Sequence, residues 1–219
     1  MRVAIMQPYF IPYPGYFRLF AATDLFVIYD CVQFPRRGWV HRNQLTDMNG
    51  QLRWLTLPLE KAPQKTSINE IKFRKEFSKE MEELFSNFKI FKDPDFYKEE
   101  LKGIREAILT PAAYLVDYLE QVLRQVCLYL NLPYNIVRSS SLKVHPDLHG
   151  QDRIIEICKI VGAKTYLNAP GGRSLYDQES FKKCNLELKF LSGYEGKRIS
   201  ILQSIVEKAK EEIVYAIES

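Results

Sequence analysis

Two short apolar runs near the start of the chain are separated by a turn rich in proline and aromatic residues and by a helix-like segment. The runs cover residues 3–6 and 25–29, and the turn covers residues 7–16. A strand, a helix and a second strand in this order form a unit whose strands are parallel. The turn then lies at the carboxyl edge of the sheet, where open α/β proteins bind ligands. The start of the chain therefore predicts an α/β protein with a ligand loop at residues 7–16.

The same alternation of strand-like and helix-like segments returns later in the chain. We predict strands at residues 52–58, 68–73, 134–138, 164–167 and 186–191, and helices at 151–161 and 199–217. This rhythm indicates a mostly parallel, doubly wound sheet of the Rossmann-like kind. Residues 75–131 instead carry helical patterns, and no linker rich in glycine or serine flanks them. We therefore expect a single α/β domain over residues 1–219 with an inserted helical block at roughly 75–131.

Charge and cysteine content narrow the classes of function. A formal charge of +4 on 219 residues is too small on its own to indicate nucleic acid, and it suits an anionic small substrate. The four cysteines lie far apart and form no CxxC pair, as is typical of reduced, cytoplasmic proteins. No apolar run approaches the roughly 18 residues that a membrane-spanning helix needs. We expect a cytoplasmic protein without a membrane span.

Three loops are expected to meet at one edge of the sheet, because right-handed crossovers bring the carboxyl ends of parallel strands to one side. They cover residues 7–16, 30–44 and 168–174. The substrate-binding candidates in them are Gln7, Tyr16, Gln33, Arg37, Arg42, Asn43, Asn168, Gly171, Gly172 and Arg173. Guanidinium groups match carboxylate and phosphate oxygens, and adjacent glycines allow backbone N–H groups to approach a phosphate. The alternatives are a solvated arginine pair and a plain glycine turn.

His41 is the candidate general base, because imidazole titrates near neutral pH and this histidine lies in a polar loop. Asp30, at a predicted strand end, is placed to orient His41 or to accept a substrate hydroxyl. The alternatives are a structural histidine and an aspartate that caps a turn. His145 and His149 lie four residues apart without a third ligand nearby in the sequence, so we predict no metal site.

A pattern over nearly the whole chain comprises Gln7-Pro8, Pro12, Gly15-Tyr16, Gln33-Phe34, Arg42-Asn43, Trp54-Leu55-Thr56, Gly162-Ala163, Gly171-Gly172 and Tyr194. In this pattern the chain resembles the WbqC-like family of bacterial proteins. The resemblance implies transfer of an acyl or aminoacyl group, glycine included, to an amino sugar during synthesis of O-antigen and other surface polysaccharides. Four residues at three places depart from the family pattern, namely Tyr13, the pair Asn168-Ala169, and Gln203. These departures bear on the substrate more than on the fold.

The first strand, its proline-rich loop and the helix that follows are also similar to the pantothenate synthetase and nucleotidyltransferase group. The histidines that this group carries in its first loop are absent here. This analogy leaves ATP or another nucleotide open as a cofactor. It makes Ser200, at a helix start beside Lys197 and Arg198, a candidate phosphate ligand.

The leading hypothesis is a transferase that acts on an anionic small molecule, either a nucleotide sugar or an acyl donor. His41 removes a proton from the attacking amine, Asp30 orients His41, and arginines hold the anionic groups. The only nucleic acid that this hypothesis involves is an aminoacyl-tRNA, as the donor of the aminoacyl group. One rival hypothesis is an adenylate-forming or nucleotidyl-transferring enzyme. The other is a non-catalytic binding or assembly protein of the polysaccharide machinery.

Overall fold

Five parallel strands form the central sheet in a computed structural model that describes residues 1–219, and two antiparallel strands form a separate hairpin. The strands are β1 (Arg2–Met6), β2 (Leu25–Ile28), β3 (Arg42–Thr46), β4 (Leu52–Thr56), β5 (Ile136–Arg138), β6 (Thr165–Asn168) and β7 (Glu187–Phe190). The order across the sheet is β5-β2-β1-β6-β7, and each neighbouring pair is parallel. Strands β3 and β4 form the hairpin. The expected α/β fold with a mostly parallel sheet is confirmed.

Eight α-helices surround the sheet. They are α1 (Pro14–Ala21), α2 (Phe77–Phe85), α3 (Lys102–Leu109), α4 (Leu115–Tyr129), α5 (Gly150–Ile160), α6 (Gln178–Lys183), α7 (Ile201–Glu207) and α8 (Lys210–Glu218). Pro14 begins α1, where its fixed backbone angle suits a helix and its missing N–H removes no hydrogen bond. None of the helices combines the length and the apolar character that crossing a bilayer requires.

Both faces of the sheet are covered by separate apolar clusters. Successive side chains of a strand point to opposite faces, so Val3 and Ile5 of β1 pack with residues of α5 and α6. Ala4 between them packs into the larger cluster, which includes residues of α1 to α4, α7 and α8. Strand β2 follows the same rule, with Val27 on one face and Phe26 on the other. Because both faces are buried, the central strand β2 is apolar throughout, and β1 is apolar from Val3 to Met6.

Three segments differ from the sequence-based expectation. Strand β3 begins at Arg42, inside the expected loop 30–44, because alternating residues of a polar stretch are buried against the core. Residues 68–73 contain a 3-10 turn at Ile68–Glu70 rather than a strand. The expected terminal helix 199–217 is two helices, since Lys208 between them adopts an extended backbone.

Candidate functional site

A cleft of about 470 Å³ lies at the edge of the sheet between β1 and β6, where the order in which the chain adds strands reverses. From β1 the chain continues to β2, toward one edge of the sheet. From β6 it continues to β7, toward the opposite edge. The loops therefore diverge between β1 and β6, and open α/β sheets bind ligands at such points. Residues after β1 and β6 form most of the lining, and Tyr29, Ile154 and Arg198 complete it.

The lining is aromatic and carries little charge. Five tyrosines line it, namely Tyr9, Tyr13, Tyr16, Tyr29 and Tyr176. Gln7 and Asn168 supply amides, Arg198 is the one charged residue, and no histidine, cysteine, aspartate or glutamate takes part. Burial raises the pKa of Tyr29 to about 12, so its hydroxyl stays protonated near neutral pH. The cleft thus offers aromatic faces, neutral hydrogen-bonding groups and a single cation.

The loop after β1 is held in a strained conformation. Ile11 has a φ of 40°, which a β-branched residue adopts only when its surroundings enforce it. The Ile11 carbonyl accepts hydrogen bonds from Asn43 Nδ2 at 2.7 Å and from Ser200 Oγ at 2.9 Å. Asn43 Nδ2 also donates to the Phe10 carbonyl at 3.1 Å. These buried contacts fix the loop that presents Tyr9 and Tyr13 to the cleft.

The loop after β7, residues 191–198, is fastened to α1. The guanidinium group of the buried Arg18 donates to the Ser192 carbonyl at 2.9 Å and to Ser192 Oγ at 2.8 Å. The Tyr194 ring lies 5.5 Å from the Tyr13 ring, and a Cβ at Gly15 would come within 2.7 Å of the Tyr194 ring. This close packing holds the segment that brings Arg198 to the cleft. Our sequence reasoning missed the loop, although it follows a strand at the same edge as the other two.

Five of the predicted substrate-binding residues meet in the cleft, namely Gln7, Tyr16, Asn168, Gly171 and Gly172. The Tyr16 hydroxyl donates to the Gln7 carbonyl at 2.8 Å and so joins the two ends of the proline-rich loop. A side chain at Gly172 would collide with the Asn168 amide, which explains the need for glycine there. The loops after β1 and β6 therefore share one site.

Residues 30–44 do not line the cleft, contrary to the expectation that all three loops converge there. Gln33 instead forms an antiparallel bridge with Ser67. Arg42 lies 4.2 Å from the centre of the Trp54 ring and donates to the Arg37 carbonyl at 2.6 Å. The reason is topological, because β2 is one strand away from the point where the loops diverge.

Besides Asn43, which belongs to residues 30–44, the predicted residues Ser200 and Arg173 lie outside the lining. Asn43 and Ser200 are 6% and 1% exposed, and their hydrogen bonds support the loop after β1 from beneath. The Ser200 hydroxyl is therefore not available to a phosphate. The exposed Arg173 places its guanidinium group 5.4 Å from the Phe190 ring.

The predicted catalytic pair is not joined by a hydrogen bond. Asp30 is fully buried and accepts from Ser139 Oγ at 2.9 Å, Ser140 N at 2.8 Å and Ser140 Oγ at 2.6 Å. These contacts tie the end of β2 to the turn after β5. His41 is 8% exposed, its Nδ1 has no partner, and its ring lies 4.9 Å from Phe34. Burial, and then the charge of Arg42, lower the pKa of His41 to about 4. A catalytic role for the pair stays a prediction.

No group of three or more histidine, cysteine, aspartate or glutamate side chains is placed to hold a metal ion.

The comparisons with known proteins agree with the residue pattern. The model of the WbqC-like protein family matches residues 7–196, which include the loops after β1 and β6. A relative from Mycobacterium tuberculosis, named "Uncharacterized protein Rv1507c", is 26% identical over 216 residues, which covers 90% of this chain and 84% of the relative. No solved structure matches the chain. Because the family match extends over most of its length, the chain belongs to the WbqC-like protein family.

Proposed function

We propose that the cleft binds a nucleotide-activated amino sugar, and that the protein transfers an acyl or aminoacyl group, such as glycine, to its amino group. This reaction would serve the synthesis of surface polysaccharide such as O-antigen. The observation that carries the proposal is the lining of the cleft at the point where the loops diverge. A sugar or base ring packs on tyrosine faces, the amides of Gln7 and Asn168 bind hydroxyl groups, and Arg198 pairs with phosphate.

The chemistry of the lining limits how the transfer proceeds. The amine attacks the acyl carbonyl, the bond between that carbonyl and its leaving group breaks, and the amine loses a proton. No histidine, cysteine or carboxylate of the cleft is available to take that proton, so solvent takes it. The donor must therefore arrive activated, as a thioester, an adenylate or an aminoacyl ester. Tyrosine hydroxyls and side-chain amides stabilise the negative charge that develops on the carbonyl oxygen.

Binding and transfer are tested separately. Calorimetric titration with a uridine-diphosphate amino sugar, with the nucleotide alone and with ATP establishes which part of the ligand is recognised. We expect the intact nucleotide sugar to bind most tightly and to raise the melting temperature by mass action. Mass spectrometry after addition of an activated glycine or acetyl donor then detects the mass gain on the sugar. Binding without a mass gain from any donor would contradict the transfer and leave the ligand assignment standing.

A second candidate function is binding without catalysis, as an assembly component of the polysaccharide machinery. It is favoured by the absence of an acidic, histidine or cysteine side chain from the lining. In that case the bound sugar would be recovered unmodified, and the donor would leave its affinity unchanged. If donor and sugar instead strengthen each other's binding, the two share a site and the transferase is favoured.

A further inference from the structure

The excess positive charge of the chain is concentrated in one segment. Residues 31–66 contain six arginine and lysine residues and two acidic ones, an excess of four. The whole chain has 31 basic and 27 acidic residues, which is the same excess, so the remainder is balanced. The modest overall charge therefore hides a basic region that contains the β3–β4 hairpin. One of its two acidic residues, Asp47, is 3% exposed and pairs with Arg53 at 3.8 Å, so it does not neutralise the other arginines of the region.

Both tryptophans of the chain lie in this basic region and are exposed. Trp39 is 43% exposed and Trp54 is 41% exposed, and their ring centres are 5.0 Å apart. The guanidinium carbon of Arg42 lies 4.2 Å from the centre of the Trp54 ring. Large exposed aromatic surfaces in a folded protein commonly mark binding sites. We call the surface formed by Trp39, Trp54, Arg37 and Arg42 the tryptophan face.

The positive charges of the arginines in the tryptophan face are not neutralised by acidic side chains. Arg37 is exposed, and its guanidinium group makes no hydrogen bond or ion pair within the protein. Arg42 donates only to the carbonyls of Arg37 and Gly38, so no carboxylate neutralises it. Aromatic rings combined with unneutralised arginines match a ligand that has both stackable rings and repeated negative charges. Single-stranded nucleic acid has this chemistry, because its bases stack on aromatic side chains while its phosphates pair with cations.

We propose that the tryptophan face is a binding site for single-stranded nucleic acid. Bases stack on Trp39 and on the uncovered part of Trp54, while Arg37 and Arg42 pair with the phosphates. The site is distinct from the cleft, whose lining contains none of these four residues. It nevertheless adjoins the loop after β1, since the Phe10 N–H donates to the Trp39 carbonyl at 3.0 Å.

Tryptophan fluorescence tests the proposal without a label, because the chain has no tryptophan outside the tryptophan face. The full chain is titrated with 12-nucleotide oligomers of uridine and of 2′-deoxyuridine at low salt. We expect saturable quenching, and a slope of about −1.4 for the logarithm of the association constant against that of salt concentration if two phosphates are contacted. Comparing the two oligomers shows whether the ribose 2′-hydroxyl contributes.

Variants separate stacking from charge, and anisotropy of a labelled oligomer measures their affinity. Trp39→Ala keeps the charge and should weaken binding about tenfold, while Trp39→Phe should recover part of the loss. Arg37→Ala should reduce the salt slope, whereas the matched control Arg124→Ala, an exposed arginine of α4, should bind like the unmodified protein. Thermal melting of each variant confirms that it is folded.

Three outcomes would overturn the proposal. The first is the absence of oligomer binding at low salt. The second is unchanged affinity in Trp39→Ala together with weaker binding in Arg37→Ala, since the surface would then attract any polyanion. The third is a blue shift of tryptophan fluorescence with vesicles of anionic phosphatidylglycerol but no response to oligomers, which would assign the face to a membrane surface.

Discussion

Strands β1 and β2 are neighbours, and each leads into a segment of aromatic and polar residues, yet the second segment contributes only Tyr29 to the lining of the cleft. Strand β1 borders β6, where the loops diverge, whereas β2 borders β5. Residues 30–44, which end in the first residues of β3, instead support the loop after β1, because Asn43 and Trp39 hydrogen bond to its backbone. The difference teaches that the place of a strand in the sheet decides which loop meets the ligand.

The largest effect is expected from Asp30→Ala, which removes a buried carboxylate from the supporting loop. Its three hydrogen bonds to Ser139 and Ser140 are lost, so we expect the free energy of unfolding to fall by about 3 kcal/mol. Urea unfolding measures the loss. Asp30→Asn is the matched control and should recover part of it. Loss of activity at unchanged stability would instead show that Asp30 acts in catalysis.

Asn43→Ala tests whether the supporting loop holds the cleft loop in shape. It removes the hydrogen bonds to the Phe10 and Ile11 carbonyls, and we expect a destabilisation of about 2 kcal/mol. Because the strained Ile11 is then free to relax, cleft affinity should fall as well. Ser200→Ala removes a single contact to the same carbonyl together with the cap of α7, so its effect on cleft affinity should be smaller than that of Asn43→Ala. Lower stability with unchanged cleft affinity would show that the Asn43 contacts stabilise the fold but do not set the conformation of the cleft loop.

His41 should make stability depend on pH. Its pKa is about 4 in the folded protein against an ordinary value of 6.5, so the folded state disfavours the protonated form. The stabilisation is complete above pH 6.5 and is lost as the pH falls toward 4, because the unfolded chain takes up the proton first. We therefore expect the free energy of unfolding to fall as the pH is lowered across this interval. The difference between urea unfolding of the protein and of His41→Gln isolates this contribution, and parallel profiles would contradict it.

Arg198→Ala should have the smallest effect of the four variants. We expect it to change the free energy of ligand binding in the cleft and not the free energy of unfolding. Because Arg198 is exposed and lies in the lining, we expect unchanged stability and about fivefold weaker binding of a phosphate-bearing ligand. Lys197→Ala removes the same charge one residue away, outside the lining, and is the matched control. Equal losses in both variants would show a general electrostatic attraction rather than a contact.

The sheet and much of the cleft could be predicted from the sequence because short, contiguous stretches of residues determine them. Apolar runs specify the parallel strands, and the position of a loop after a strand places Gln7, Asn168 and Gly172 at one edge. Strand order is what the sequence did not reveal, since β5 pairs with β2 across more than a hundred residues. Without that order, the loops after β1 and β2 look equally suited to binding.

The parts that were missed depend on distant contacts. Arg198 reaches the cleft because Arg18 fastens its loop from 174 residues away in the chain. The polar loop predicts an accessible side chain for His41, whereas the structure buries it against Phe34, and its role as a base stays a prediction. In both cases tertiary packing decides the outcome, and local composition does not describe it.

The fastening of α1 to the loop after β7 also sets when the site can exist during synthesis on the ribosome. The first cleft loop emerges early, but its neighbour β6 begins only at Thr165, and Ser192 and Ser200 follow later still. A nascent chain that stops after β5 has strands β1 and β2 and the Asn43 contact to the Ile11 carbonyl, but it lacks the opposite wall and the second contact, from Ser200. Ligand capture therefore has to wait until nearly all of this sequence has been translated.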